Sequence, residues 1–199
     1  MTTATLESPK TQSPQRLDVP RSFRWTKEQY HRMGDAGLFE GMNVELIEGE
    51  IIEMPSMNFP HWKSVVKVRD ALIKVFGADY IVIDQLPISI IDESEPEPDI
   101  AVICADLESL QDLPSTACLV VEISDATLSY DKGRKLKLYA RAGIAEYWIL
   151  DVKARRLIVH RAPNAEEEQF DNVQTLKETD VVSTLEVPDA LIKIAELLP

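Results

Sequence analysis

Two short stretches, Ile100 to Cys104 and Cys118 to Ile123, are apolar at nearly every position and not only at alternate ones. That pattern predicts strands covered on both faces. Acids break it twice, with Asp99 at the entry to the first stretch and Glu122 near the end of the second. Alternation from Cys118 to Ser124 sends Leu119, Val121 and Ile123 to one face and Val120, Glu122 and Ser124 to the other, so Glu122 must enter a packed layer. An isolated carboxylate there costs on the order of several kcal/mol unless it is protonated, paired or bound to a metal.

The segment after Ser124 offers a partner. At about 100° per residue, a helix places Lys135 in the middle of an arc with Leu128, Leu138, Tyr139 and Ala142, while Arg134, Lys137 and Arg141 share the opposite arc. A lysine usually snorkels from the edge of an apolar face, so one at its centre calls for a counterion. A strand, this helix of about a dozen residues and the apolar strand Glu146 to Leu150 form a βαβ crossover, in which the helix runs back over the sheet. Glu122 then lies roughly 7 Å below the strand end. Lys135 lies roughly 8 Å into the helix. The two side chains are expected at similar depth.

The same patterning organises the rest of the chain. Thr26 with Gln29 three residues later matches a capping box and opens a first helix that ends near Gly34 to Gly37. Asn43 to Met54 reads as two short strands turning near Gly49, with Val44 and Leu46 on one face and Glu45 opposite. Asn58 to Gly77 is an amphipathic helix whose stripe is Trp62, Val65, Val66, Arg69, Leu72, Ile73 and Phe76. Its other row, Lys63, Lys67, Asp70 and Lys74, is a solvated face or a DNA contact. Tyr80 to Asp84 and Leu86 to Ile91 read as a strand pair leading to the Asp99 strand. After Asp151 come a turn at Val152 to Ala154, a strand over Arg155 to Ala162 paired back with Glu146 to Asp151, short strands near Phe170 to Leu176 and Val181 to Leu185, and a closing helix from Asp189. Residues 1 to 20, rich in Thr, Ser, Gln and Pro, form a flexible tail dispensable for folding, and residues 21 to 199 form a single domain.

Composition narrows the function. The 199 residues are 45% hydrophobic and 28% charged, as expected of a globular chain with a sizeable core. No apolar run reaches the roughly 18 residues of a membrane span and the start lacks a signal-peptide core, so the expected compartment is the cytoplasm. Cys104 and Cys118 read as small buried hydrophobes. The formal charge of −13 disfavours non-specific DNA affinity. It is uneven, with nine acids against two lysines between Pro163 and Pro199.

No phosphate-cradling glycine loop is present, the three histidines are scattered, and neither Ser nor Cys stands beside an evident base. Nucleotide-loop, zinc-hydrolase and triad chemistries are therefore disfavoured. What remains is Asp99, Glu122 and Lys135 on adjacent strands and the crossover helix. Two carboxylates with water and a backbone carbonyl are the hard oxygen ligands that Mg²⁺ prefers. A nearby lysine can orient water or stabilise charge on a phosphate. Each residue also has a structural reading: Asp99 as a strand cap, Glu122 with Lys135 as a buried packing pair, Lys135 with Asp131 as a helical pair, and His61 as a helix-start residue beside a cleft.

Pro98-Asp99 followed by Glu122-Ile123-Ser124 resembles the PD-(D/E)XK nuclease motif. The wider set, with ELIEGEIIEM, His61, EPD, VEIS, DKGRKLKLYARAG and EYWILD, is similar to the Uma2 family of restriction-endonuclease-like proteins over roughly residues 25 to 195. The resemblance implies an α/β fold with a mixed sheet: an αβββαβ core with an N-terminal helix and hairpin and extra C-terminal strands. Ser124 stands where the wider pattern has its lysine, and the resemblance assigns that role to Lys135. It further implies that Asp99, Glu122 and the Ile123 carbonyl bind Mg²⁺ or Mn²⁺, with Glu45 an accessory acid and Asp125, Asp131 and Tyr139 in support. The function so implied is a Mg²⁺-dependent endonuclease hydrolysing phosphodiester bonds of DNA. The alternative is a catalytically silent nuclease-fold binding or regulatory module, and a homodimer is compatible with either.

Overall fold

The computed structural model describes residues 20–105 and 107–199, so the expected tail lies, apart from Pro20, outside the described residues. Strands β3 (Ile81–Asp84), β4 (Ile100–Ile103), β5 (Leu119–Ser124), β6 (Glu146–Asp151), β7 (Arg156–Asn164) and β8 (Gln169–Lys177) form one sheet in that order. Only β5 and β6 pair parallel, and the other neighbours are antiparallel. A parallel pair needs a long return connection. Here it is a helical run made of Leu128–Tyr130, a π-helical segment Asp131–Lys135 and an α-helix Leu136–Arg141.

The alternation read from the sequence holds on both faces of β5. Leu119, Val121 and Ile123 pack with Trp148 and Leu150 beneath helix α2 (Phe59–Phe76), whose Val65, Val68, Leu72 and Phe76 complete that layer. Val120 points the other way, with Tyr147 and Ile149 against Leu138, Tyr139 and Ala140 of the crossover helix. Burial of such side chains contributes roughly 1.5–3 kcal/mol each. Glu122 and Ser124 share that second face and are buried.

Helix α1 (Lys27–Asp35) opens with the expected box, as Thr26 Oγ1 accepts from the Gln29 amide and Gln29 Oε1 accepts from the Thr26 amide. Strands β1 (Val44–Ile47) and β2 (Glu50–Glu53) form a separate hairpin with Ile47 opposite Glu50. Its two turn residues, Glu48 and Gly49, take positive φ of 52° and 74°, as a tight hairpin turn requires. A Cβ at Gly49 would lie 2.8 Å from that of Arg24. The turn is therefore restricted sterically as well as by its φ.

Four expectations need correction. Leu86 to Ile91 is not a strand: Pro87 removes a donor, and the chain closes through a single bridge between Ile90 and Ser94 around Asp92 and Glu93, both at positive φ. The buried stripe of α2 is Val65, Val68, Leu72 and Phe76, rotated by roughly a quarter turn from the expected one, which leaves Trp62 and Ile73 exposed. The closing helix shrinks to Ile194–Leu197, because Ile192 and Lys193 pair with Val182 and Val181 as short strands. Cys104 is exposed, since β4 ends one residue before it, and both cysteines are free thiols.

Behind the crossover helix, His160 stacks on Tyr147 and packs against Phe170. Burial lowers its pKa from 6.5 to about 4. Protons then bind the unfolded chain first, so stability falls as pH drops from about 6.5 towards 4. His160→Gln is expected to remove that part of the acid loss, at most about 3 kcal/mol at pH 4. Urea denaturation at pH 7 and pH 4 checks it, and an unaltered pH slope in the variant tells against it.

Candidate active site

The site forms where β4 begins. Ile100 pairs with Val121, so the edge of β5 beyond Val121 has no strand partner on that side. The Ile123 amide there donates to Asp99 Oδ2 at 2.7 Å. A strand residue's N–H and C=O face the same side, which puts the Ile123 carbonyl on the same open edge. Asp99 Oδ1 lies 2.8 Å from His61 Nε2, on the first turn of α2. Asp99 thus closes the end of β5, a neighbouring strand, and not its own through local backbone bonds, while still facing the cleft.

Lys135 is the hub. With 1% of its side chain exposed, it donates to Glu122 Oε1 at 2.9 Å and to Glu45 Oε1 at 3.0 Å. Tyr139 also donates its hydroxyl to Glu122 Oε1, at 2.9 Å. Lys135 and Tyr139 are four residues apart and share one helix face, and in the π-helical turn that ends at Lys135 the Leu136 amide bonds back to Asp131 O. One extra residue in a turn moves every later side chain by about 100° relative to an unbroken α-helix. In the turn that follows, Leu138, Tyr139 and Ala140 are all buried. The pairing of Lys135 with Asp131 is not formed. Asp131 Oδ2 instead accepts the Ser124 and Thr127 hydroxyls, each at 2.6 Å.

The electrostatics follow from burial. Burial pushes the Glu122 carboxyl well above its ordinary range, and Asp131, Asp99 and Glu45 add repulsion that Lys135 only partly offsets. Glu45 is raised for the same first reason, again opposed by Lys135. Burial acts to lower Lys135, but Glu122, Glu45 and Asp131 outweigh it, so the amine stays an ammonium. His61 is likewise raised, its burial outweighed by Asp99. Two carboxyls around one ammonium leave an excess negative charge in a dry place.

Glu45, Asp99, Glu122 and Lys135 all line one cleft of ≈ 100 Å³, together with Asn58, His61, Glu97, Asp125, Thr127 and Asp131. Ile123 is not among the residues that line it and is tied to it only by the bond of its amide to Asp99. Sequence reasoning paired Lys135 with Glu122 alone and missed that Glu45 shares the ammonium. It left His61 between a structural helix-start residue and a cleft-lining one, and missed its contact with Asp99. The hairpin that carries Glu45 is clamped by Arg134, one residue before Lys135, which bonds Glu48, Glu50 and the Ile47 carbonyl at 3.1, 2.6 and 3.0 Å.

Among the described residues no three His, Cys, Asp or Glu side chains form a ready-made cluster for a metal ion. The donor chemistry nevertheless suits a hard divalent cation. Six carboxylates line the cleft against one lysine, and Glu45 Oε2 is buried with no hydrogen-bond partner. Both bonds of Glu122 fall on Oε1, and each carboxylate oxygen has a second lone pair. Asp99 and Glu122 therefore keep acceptor capacity.

A mixed sheet crossed by one helix, with a proline-preceded acid, a second acid on the next strand and a helix lysine at one cleft, defines a restriction-endonuclease-like protein. A crystal structure of "a putative nuclease belonging to DUF820" from Anabaena variabilis superposes with a TM-score of 0.67 at 14% identity, covering 86% of this chain and 96% of that one. Residues 27–193 match the model of the Uma2 family, described as "Putative restriction endonuclease". The chain belongs to that family. No curated protein matches it. Among the described residues no helix is long and apolar enough to cross a membrane.

Proposed function

We propose that the protein is a Mg²⁺-dependent, or Mn²⁺-dependent, endonuclease that hydrolyses phosphodiester bonds of DNA at this cleft. The observation that carries the reading is the shared ammonium: Lys135 is fixed by Glu45 and Glu122 beside Asp99, among carboxylates in excess. Asp99, Glu122 and the Ile123 carbonyl would hold the cation, with Glu45 as the accessory acid. When bound, a divalent cation supplies charge that polarises a phosphate oxygen and acidifies water.

The chain's own groups supply the rest. An ammonium has three protons, and Lys135 uses two on Glu45 and Glu122, which leaves one for the attacking water or a phosphate oxygen. Tyr139 fixes the Glu122 carboxyl and His61 fixes that of Asp99, so neither must reorganise when charge develops. Asp131, tied to Ser124 and Thr127, steadies the turn that delivers Lys135.

A second reading rests on a different observation. Among the described residues the cleft lining carries one lysine against six carboxylates and no arginine, a poor field for phosphate. A catalytically silent binding or regulatory module, dimeric or not, fits that lining. Titrating Mg²⁺ and Mn²⁺ calorimetrically into wild type and Asp99→Ala, alongside cleavage of a DNA substrate, decides between the two. We expect binding and cleavage in the wild type and neither in the variant. Metal binding without cleavage would favour the silent module.

A further inference from the structure

The acidic lining leaves a question of where affinity for a nucleic acid comes from, and the mouth of the cleft supplies an answer. The first turn of α2 sends Asn58 and His61 into the cleft. The neighbouring Phe59 and Trp62 point out of it, 70% and 49% exposed. Their rings stack on each other with centroids 5.6 Å apart and planes 29° apart. Lys63, four residues after Phe59 on the same helix face, is exposed too. Leaving two large rings this exposed forgoes the stabilisation that burying them would give. The fold does not bury them elsewhere, although α2 has an apolar stripe that it does bury.

We propose that Phe59 and Trp62 are a stacking platform for an unpaired nucleobase next to the scissile phosphate. The preferred substrate is then a single strand, a flap or a distorted junction, not regular duplex. Consecutive Cα atoms lie about 3.8 Å apart, so the platform is within about one or two nucleotides of His61 and Asp99. Stacking is indifferent to the cleft's negative charge and tolerant of sequence, and each base–aromatic contact contributes substantially to single-strand binding. Duplex bases are already stacked and gain nothing from the platform. Lys63 can meet the phosphate of the stacked nucleotide. The inference rests on the nuclease reading for the phosphate's position, while the platform is a separate surface.

The test uses the full chain with Ca²⁺ or Mg²⁺ and a fluorescently labelled oligothymidylate, with a labelled duplex of equal length as comparison. Phe59→Ala and Trp62→Ala are each expected to weaken oligothymidylate binding about tenfold and to leave duplex binding and the thermal midpoint nearly unchanged. Trp62→Phe keeps a ring and should restore most of the loss. Equal loss on both probes, or no loss on either, overturns the platform. So does a variant whose only change is a lower sedimentation mass, which would make the pair a contact between copies. Ring-dependent binding of oligothymidylate by a protein that never cleaves would leave the platform standing and remove the nuclease reading. Cleavage insensitive to both rings would do the reverse.

Discussion

Replacing Lys135 with methionine is expected to lower stability by about 3–5 kcal/mol at pH 8, with most of that loss recovered near pH 4.5. Methionine matches the length of the lysine stem, so packing is largely conserved, and what disappears is the charge shared by Glu45 and Glu122. Both carboxyls are already raised by burial, and the Lys135 charge is the strongest influence lowering them. Without it they rise further. Groups whose folded pKa exceeds the unfolded value near 4.5 favour the fold at low pH, and that contribution is lost as pH climbs through the folded pKa. The deficit should therefore open as pH climbs above the unfolded value near 4.5. Urea denaturation at pH 4.5, 6 and 8 measures it. A loss below about 1 kcal/mol, or one that does not vary with pH, would mean that Lys135 is not the counterion of this cleft.

The same lysine shows what the sequence discloses and what it hides. Glu122 in a doubly covered strand and Lys135 in the middle of an apolar helix face are each anomalous locally, and a parallel crossover has few ways to satisfy them, so their meeting was legible. The hairpin and the capping box are legible for a similar reason, since each is written in neighbouring residues. Glu45 is different: 90 residues separate it from Lys135, and no period links them. Tyr139 is legible on the arc of Lys135, four residues away, but its hydroxyl bond to Glu122 and the π-helical turn just before it leave no signature in a reading at 100° per residue. Helix α2 misleads because it carries apolar residues on two faces, and amphipathic counting cannot tell the face under the sheet from the face that bears Phe59 and Trp62.

Glu122→Gln is expected to reduce metal-dependent cleavage by roughly a thousandfold, within the range expected when a positioned electrostatic group is lost, while stability changes by less than about 1 kcal/mol. Treated as one half of an isolated pair with Lys135, Glu122 would leave a buried ammonium unmatched on neutralisation, at a cost of roughly 3 kcal/mol. The shared arrangement changes that expectation. Glu45 still holds Lys135 at 3.0 Å, and a glutamine carbonyl can keep accepting from both Lys135 and Tyr139. Its amide adds a donor in a cleft that has acceptors to spare, the unpartnered Glu45 Oε2 among them. Neutralising one of the crowded carboxyls also relieves the repulsion from Asp131, Asp99 and Glu45. Removing both counterions is another matter: the double variant Glu45→Gln with Glu122→Gln strands the ammonium and should cost about 3–5 kcal/mol, far more than the two single losses together. Denaturation of the four proteins gives that coupling, and cleavage with Mg²⁺ or Mn²⁺ gives the chemistry. If Glu122→Gln cleaves within about tenfold of wild type, Glu122 is packing and not a ligand, because a neutral amide cannot replace a carboxylate on a hard cation without a much larger loss.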